Sequence, residues 1–336
     1  MIKVGLIGMG GIVGAHLPFY KNNPDKVKVI ACCDIIPERA AMKDRVEFNI
    51  ETEDTGTFTD FTPYTDYMEL LKNPEIEAVD ICLPTYLHKE VTIAALKSGK
   101  HVICEKPIAR SIADAKEMAD ASVETGKTLM IAQCIRFSPE YSYLKELKDT
   151  EKYGKLLSAN FARLLGPPDW SEGNWYLNPE LSGGAILDLH IHDADFIAYC
   201  FGLPEAVSSA GVENEGDINY VHTCYDYGAY GPIVVAEGGW GLPKTKLPFR
   251  MTFMATYERA TIEYVGGVLT LYPEREDPRV PELENISIYD AELRYFYKCL
   301  EDGVKPTRAS AEATLDTMRI IEAEKKSVRE RATIKL

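Results

Sequence analysis

The segment "IKVGLIGMGGIVGAHLPFY" (2–20) constrains this chain more than any other. A continuous apolar run reads as a buried strand, a glycine-rich turn follows, and a helical pattern starts almost at once. Gly8 is placed for the tight turn and Gly10 for close approach of a pyrophosphate to the backbone. Amides near Gly11 and Ile12 would donate at the helix start, where the dipole favours an anion. The third glycine of the G-x-G-x-x-G form is missing: Val13 stands there and Gly14 comes one later. That position mainly serves helix-to-strand packing, so the departure bears on packing more than on phosphate contact. Alone, the motif is weak, since such a turn also occurs in chains that bind nothing. Asp34 adds weight. It ends the second apolar strand, 20 residues past Gly14, where a carboxylate accepts from an adenosine ribose diol and repels a 2′-phosphate. NAD is therefore expected; Arg39 nearby keeps NADP open. The plainer alternative for Asp34 is a residue that only starts the helix of "PERAA".

The rest of the first third repeats the theme. "VKVIACCD" (27–34), "AVDICLP" (78–84), "HVICEK" (101–106) and "TLMIAQC" read as strands. Helical patterns in "PERAAMKDRVEF", "HKEVTIAALKSG" and "DAKEMADASVETG" alternate with them. Near-continuous apolar strands between helices mark a parallel sheet covered on both faces. From about Ile135 the character changes. "GKLLSANFARLLG", "YVHTCYDY", "PIVVAEGGW", "FRMTFMATY" and "ATIEYVGGVLTLYP" are rich in β-branched and aromatic residues, with few helical patterns, which predicts consecutive antiparallel strands. "YPEREDPRVPELEN" reads as a polar loop, and "YDAELRYFYKCLEDG" and "SAEATLDTMRIIEAEKKSV" as two closing helices. The expected division is a nucleotide-binding domain over 1–134 and an α+β domain over 135–336.

Composition excludes several classes. A net charge of −15 opposes binding to nucleic acid. Apolar runs such as "VDICLP" are too short to span a bilayer, and the start of the chain lacks the features of a secretory signal, so a cytoplasmic protein is expected. Eight scattered cysteines without a C-x-x-C pair read as small buried hydrophobes.

"DICLPTYLHKEVTIAALKSGKHVICEKPIARSIADAKEM" resembles the nucleotide-domain signature of the glucose–fructose oxidoreductase / inositol dehydrogenase / MocA family. "GGAILDLHIHDADF" resembles its second signature, and "AELRYFYKCLEDGVKP" is similar to its C-terminal helix. The resemblance runs from residue 2 to about 330. It implies an α/β fold: an N-terminal Rossmann doubly wound parallel sheet, then a C-terminal α+β domain on a large, mostly antiparallel open sheet that often supports a dimer or tetramer. It implies NAD(P)-dependent oxidoreduction of a carbohydrate or polyol. By motif, Leu83, Pro84, Thr85 and His88 would line the nicotinamide-side loop, with Glu105 and Lys106 beside the nicotinamide ribose. Lys106, Asp188 and His192 would form the catalytic group. Arg136, Arg163 and Trp175 fall where similar proteins place cofactor or substrate contacts. Tyr86 departs from the asparagine of many members.

The segment "GGAILDLHIHDAD" (183–195) has its own logic. Leu187, Ile191, Ala194, Ala198 and Phe201 repeat at helical spacing, and Asp188, His192, Asp195 and Tyr199 repeat on another face. Asp188 and His192 are then one turn apart, while His190 points elsewhere. As a strand, the segment would put Asp188, His190 and His192 on one face and suit a metal. The paired glycines, the apolar stripe and Gly202 favour the helix. A plainer alternative is a helix whose histidine meets solvent or a buried carboxylate. The expected chemistry is removal of a hydroxyl proton by His192, oriented by Asp188, while Lys106 polarises the oxygen. His16 and His101 are assigned to packing or surface, and Trp170 and Trp175 bracket a loop that would cap the substrate. Rival readings are transient redox in a sugar elimination or isomerisation, a non-catalytic NAD sensor and a metal-dependent hydrolase.

Overall fold

The computed structural model describes residues 1–44, 58, 60–168, 171–214, 216–240 and 248–336. Trp170 and the end of the helix expected over "PERAAMKDRVEF" lie outside these residues. Contacts divide the chain into two compact units, Met1–Cys134 with Ile286–Leu315, and Ile135–Asn285 with Asp316–Leu336.

The first unit is built on β1 (Ile2–Ile7), β2 (Val27–Cys33), β3 (Thr62–Tyr64), β4 (Ala78–Ile81), β5 (His101–Glu105) and β6 (Leu129–Ala132). They pair in the order β3-β2-β1-β4-β5-β6, all parallel. The helices of this unit are α1 (Val13–Asn22), α2 (Pro37–Ala40), α3 (Tyr67–Leu71), α4 (His88–Lys97) and α5 (Ile112–Thr125). β4 and β6 are buried throughout, and β1 in all but its first two residues, as expected for strands covered on both faces. α5 shows how local signals set its ends: Ser111 accepts from the Asp114 amide at its start, and Gly126 (φ 68°) ends it in the left-handed region. Strand order reverses at β1/β4, so the carboxyl ends of β1, β4 and β5 define the crevice edge of this fold.

The second unit carries α6 (Pro139–Thr150), β7 (Leu156–Leu164), α7 (Pro179–Ser182), α8 (Ile191–Phe201) and β8 (Ala206–Asn214). It continues through β9 (Asp217–Asp226), β10 (Ile233–Gly239), β11 (Arg250–Tyr257), β12 (Ala260–Val265) and β13 (Val268–Pro273). Its sheet runs β13-β12-β11-β7-β10-β9-β8-β14, with β14 at Ile334–Lys335. Only β7 and β10 pair in parallel among these strands. The mostly antiparallel expectation holds. One face buries Phe161, Phe253, Ile262, Tyr264 and Leu271. Tyr141 of α6 meets Phe196 of α8 and Phe253 edge-on at 4.8 and 4.7 Å. The opposite face exposes Ile233, Met254, Val265, Val268 and Tyr272.

Two expectations need correction. A second domain running unbroken over 135–336 is not what the contacts give, because α9 (Ile288–Asp302) packs on α1 in the first unit. Tyr297 stacks on Phe19 at 5.6 Å, and the Ile131 amide donates to the Ala309 carbonyl. α10 (Ala311–Glu330) continues into the second unit. The stretch after Ile135 also holds a full helix, α6, whose signal is local: Ser138 caps it and Pro139 opens it.

Candidate active site

Gly8 has a φ of 93°, and a Cβ there would sit 2.5 Å from the Cys82 carbonyl oxygen, so the turn requires glycine. Around Gly10 a Cβ would meet nothing within 4 Å, leaving the backbone open to a ligand. Gly11 and Ile12 are half-buried at the start of α1, and Val13 is buried, filling the packing role of the absent third glycine. Asp34 is half-buried and accepts the Met9 amide at 2.9 Å and the Ile36 amide at 2.9 Å. The carboxylate thus fastens the glycine loop to the end of β2, and each oxygen keeps a second lone pair. Arg39 lies 3.5 Å from Asp44. Open space over Gly10 beside a fixed carboxylate fits a dinucleotide.

Leu83 and Pro84 are half-buried beyond β4, and Thr85 is buried. His88, expected to line the nicotinamide-side loop, has both ring nitrogens engaged within the protein. It is buried, with Nδ1 2.7 Å from the Pro107 carbonyl and Nε2 2.7 Å from the Leu83 carbonyl. Burial lowers its pKa, against the pull of both carbonyls. It ties the loop after β4 to the loop after β5. Glu105 is buried at the end of β5 and accepts the Lys106 amide at 3.1 Å, whereas the Lys106 side chain is half-exposed. The Lys106–Pro107 peptide is cis.

In the second unit the chain enters "GGAILDLHIHDAD" through Gly183 and Gly184, at φ 79° and 78°. A Cβ on Gly184 would fall 1.8 Å from Asp217 Oδ1, and Asp217 bonds the Ala185 backbone. The following turn, Ile186–His190, is π-helical before α8 begins, a local widening frequent at functional sites. This refines the expected uniform α-helix. The polar residues then divide sharply. Asp193, Asp195 and His190 are fully buried; Asp188 and His192 alone among the five titratable residues keep partial exposure.

Each buried member has its own partner. Arg136 grips Asp195 through Nε and Nη2, both at 2.7 Å, and Thr317 donates to the same carboxylate at 2.7 Å. Arg163 grips Asp193 at 3.1 and 2.9 Å and also donates to the Tyr141 hydroxyl at 3.2 Å. Both guanidinium groups are almost wholly buried. Arg136 and Arg163, expected at cofactor and substrate, are thus each paired with a buried carboxylate of α8. His190 Nε2 lies 3.1 Å from Glu324 Oε1, which also accepts from the Tyr225 hydroxyl at 2.6 Å. The segment is helical through both residues, so His190 and His192 do not share a strand face. Trp175 stacks on Tyr176 at 4.0 Å and remains half-buried.

Sequence reasoning missed a buried polar cluster in the first unit. His16 Nδ1 lies 2.8 Å from Asp80 Oδ2, and its Nε2 lies 3.1 Å from Glu105 Oε1. The available signal was a carboxylate, Asp80, inside the apolar run "AVDICL". The cysteine expectation holds except at Cys224, which is exposed.

Fold and site together define a two-unit protein whose first unit is a dinucleotide-binding α/β domain. Residues 2–133 match the oxidoreductase family, NAD-binding Rossmann fold model of the GFO/IDH/MocA group, and residues 141–263 match the GFO/IDH/MocA C-terminal domain. The chain belongs to this family. It is similar to 1,5-anhydro-D-fructose reductase of Ensifer adhaerens, 35% identical over 158 residues, 45% of this chain and 47% of that protein. It is also similar to inositol 2-dehydrogenase of Salmonella paratyphi B, 34% identical over 46% of this chain and 44% of that protein. The chain thus spans about half the length of the curated relatives it matches. A solved levoglucosan dehydrogenase in complex with NADH and levoglucosan shares the fold, with a TM-score of 0.85 over 99% of both chains at 22% identity. Among the described residues no helix is long and apolar enough to cross a membrane.

Proposed function

We propose that the protein is an NAD(P)-dependent oxidoreductase, NAD-preferring, that acts on a secondary hydroxyl of a sugar, inositol or related polyol. The observation that carries this reading is the division within 183–195, which buries three of five titratable side chains and leaves Asp188 and His192 accessible. When bound, the dinucleotide supplies a nicotinamide that takes or gives a hydride. Gly8, Gly10, Gly11 and Ile12 hold its pyrophosphate, Asp34 its adenosine ribose, and Leu83, Pro84, Thr85 and Glu105 its nicotinamide end. A ring nitrogen of His192 takes the hydroxyl proton and returns it in the reverse direction, since imidazole titrates near neutrality. Asp188 orients that ring and stabilises its protonated form. The Lys106 ammonium donates to the substrate oxygen and stabilises negative charge developing there. Trp175 contributes an apolar wall to the substrate.

The relatives named for an anhydro-sugar and for inositol support a carbohydrate or cyclic polyol as substrate. A homo-oligomer formed through the outer face of the second sheet would cover Ile233, Met254, Val265, Val268 and Tyr272, which otherwise leave apolar surface in water. The test is a screen of polyols and pyranoses with NAD and with NADP, read by the absorbance of reduced cofactor. Turnover with at least one such substrate, faster with NAD, is expected; no turnover across the panel counts against the reading.

A further inference from the structure

Beneath Glu105 lies a set of buried groups that the proposed chemistry does not use. α1 contributes His16 and Tyr20, β4 contributes Asp80 with Cys82 just past its end, and α9 contributes Glu292 and Tyr297. Asp80 is well satisfied: it faces His16 Nδ1 at 2.8 Å and accepts from the Tyr20 hydroxyl at 2.8 Å and the Cys82 thiol at 3.4 Å. The Tyr20 and Tyr297 hydroxyls lie 2.9 Å apart. His16 has a carboxylate oxygen near each ring nitrogen, Asp80 at 2.8 Å and Glu105 at 3.1 Å; burial opposes its charge, but Asp80 and then Cys82 carry its pKa well above the usual value.

Glu292 is the exception. Its side chain is fully buried, and neither carboxyl oxygen has a hydrogen-bond partner. One of its oxygens lies within 4.8 Å of ligating atoms of both His16 and Glu105. A charged Glu292 would be an unsolvated carboxylate beside another carboxylate, which is prohibitively costly. Burial first, and then the Glu105 charge, push its pKa well above the usual carboxylate range, with His16 pulling the other way.

We propose that Glu292 is a positioning residue, a neutral carboxylic acid whose proton is shared with Glu105, so that Glu105 and the Lys106 backbone are held from beneath at the end of β5. The cluster then carries two carboxylates, one imidazolium and one neutral acid. Glu105 Oε1 lies 3.1 Å from His16 Nε2 and Oε2 accepts the Lys106 amide, so each oxygen keeps a lone pair for the proton proposed on Glu292. The consequence for cofactor binding rests on the dinucleotide reading above; the protonation itself does not.

Infrared spectroscopy of the full chain at about pH 7, well above the usual carboxylate range, tests this without substrate. The parent should show a protonated-carboxyl C=O band that Glu292→Gln removes. Glu105→Gln should shift that band, because it changes the group accepting the proton. No protonated band in the parent, or a band unchanged in Glu292→Gln, overturns the proposal. So does stoichiometric metal that Glu292→Gln removes, which would make the same atoms ligands. NADH titration reads the consequence: Glu292→Gln, which keeps a donor, should bind close to the parent, and Glu292→Leu about tenfold or more weaker. If Glu292→Leu does not fold, the band and the glutamine variants still decide. A parent that binds no NADH yet shows the Glu292 band would sink the dinucleotide reading and leave this one standing.

Discussion

His190 Nε2 lies 3.1 Å from Glu324 Oε1, with both side chains fully buried. Burial works against the charged ring, but Glu324 outweighs it and raises the His190 pKa above its ordinary value near 6.5. Stability from this pair is therefore fully present below the unfolded pKa and is lost as pH rises through the raised folded one. Glu324→Gln should lower the unfolding free energy by about 3 kcal/mol below about pH 6, with a gap that narrows as the solution becomes alkaline. Denaturant unfolding at several pH values measures it; a gap independent of pH would remove the charged pair.

Arg163 and Asp193 form a buried bidentate pair that fixes the start of α8. Removing one partner leaves the other charge stranded, so Asp193→Ala should cost about 3–5 kcal/mol. Were Arg163 a substrate contact, as its place in the sequence suggests, Asp193→Ala would instead leave stability nearly intact and alter KM.

The two glycines of the first turn should separate fold from binding. Gly8→Ala forces a side chain at φ 93° against the Cys82 carbonyl and should destabilise by about 1–3 kcal/mol. Gly10→Ala meets open space and should change stability by less than about 0.5 kcal/mol. Its NADH affinity should nonetheless fall about tenfold or more, or 1.4 kcal/mol. Thermal melts and fluorescence titration check both; unchanged affinity in Gly10→Ala would move the pyrophosphate elsewhere.

Asp34→Ala should weaken NADH by about 1.5–3 kcal/mol, through loss of charged hydrogen bonds, and NADPH by clearly less. Equal losses would reduce Asp34 to its structural bonds with Met9 and Ile36.

These residues also show what the sequence carries and what it hides. The glycine turn, Asp34 and the strand alternation were legible because their signals are local: a φ only glycine tolerates, a carboxylate at a fixed offset, a period of apolar residues. The accessible pair Asp188 and His192 was legible through helical spacing. Arg136 and Arg163 were placed by resemblance alone, and their carboxylate partners, Asp195 and Asp193, stand 59 and 30 residues away, so no local window shows the pairs. His16 and Glu292 were hidden for the same reason. Their environment is made by β4, β5 and α9, elements far from α1 in sequence, so no window of the chain contains it. The return of α9 to the first unit likewise depends on the pairing of Phe19 with Tyr297.

The most direct test of the central claim is pre-steady-state hydride transfer in His192→Ala, with NADH affinity measured on the same preparation. The account predicts a transfer rate lower by about 10²–10⁴-fold with NADH binding little changed. Full-rate transfer in this variant would contradict it.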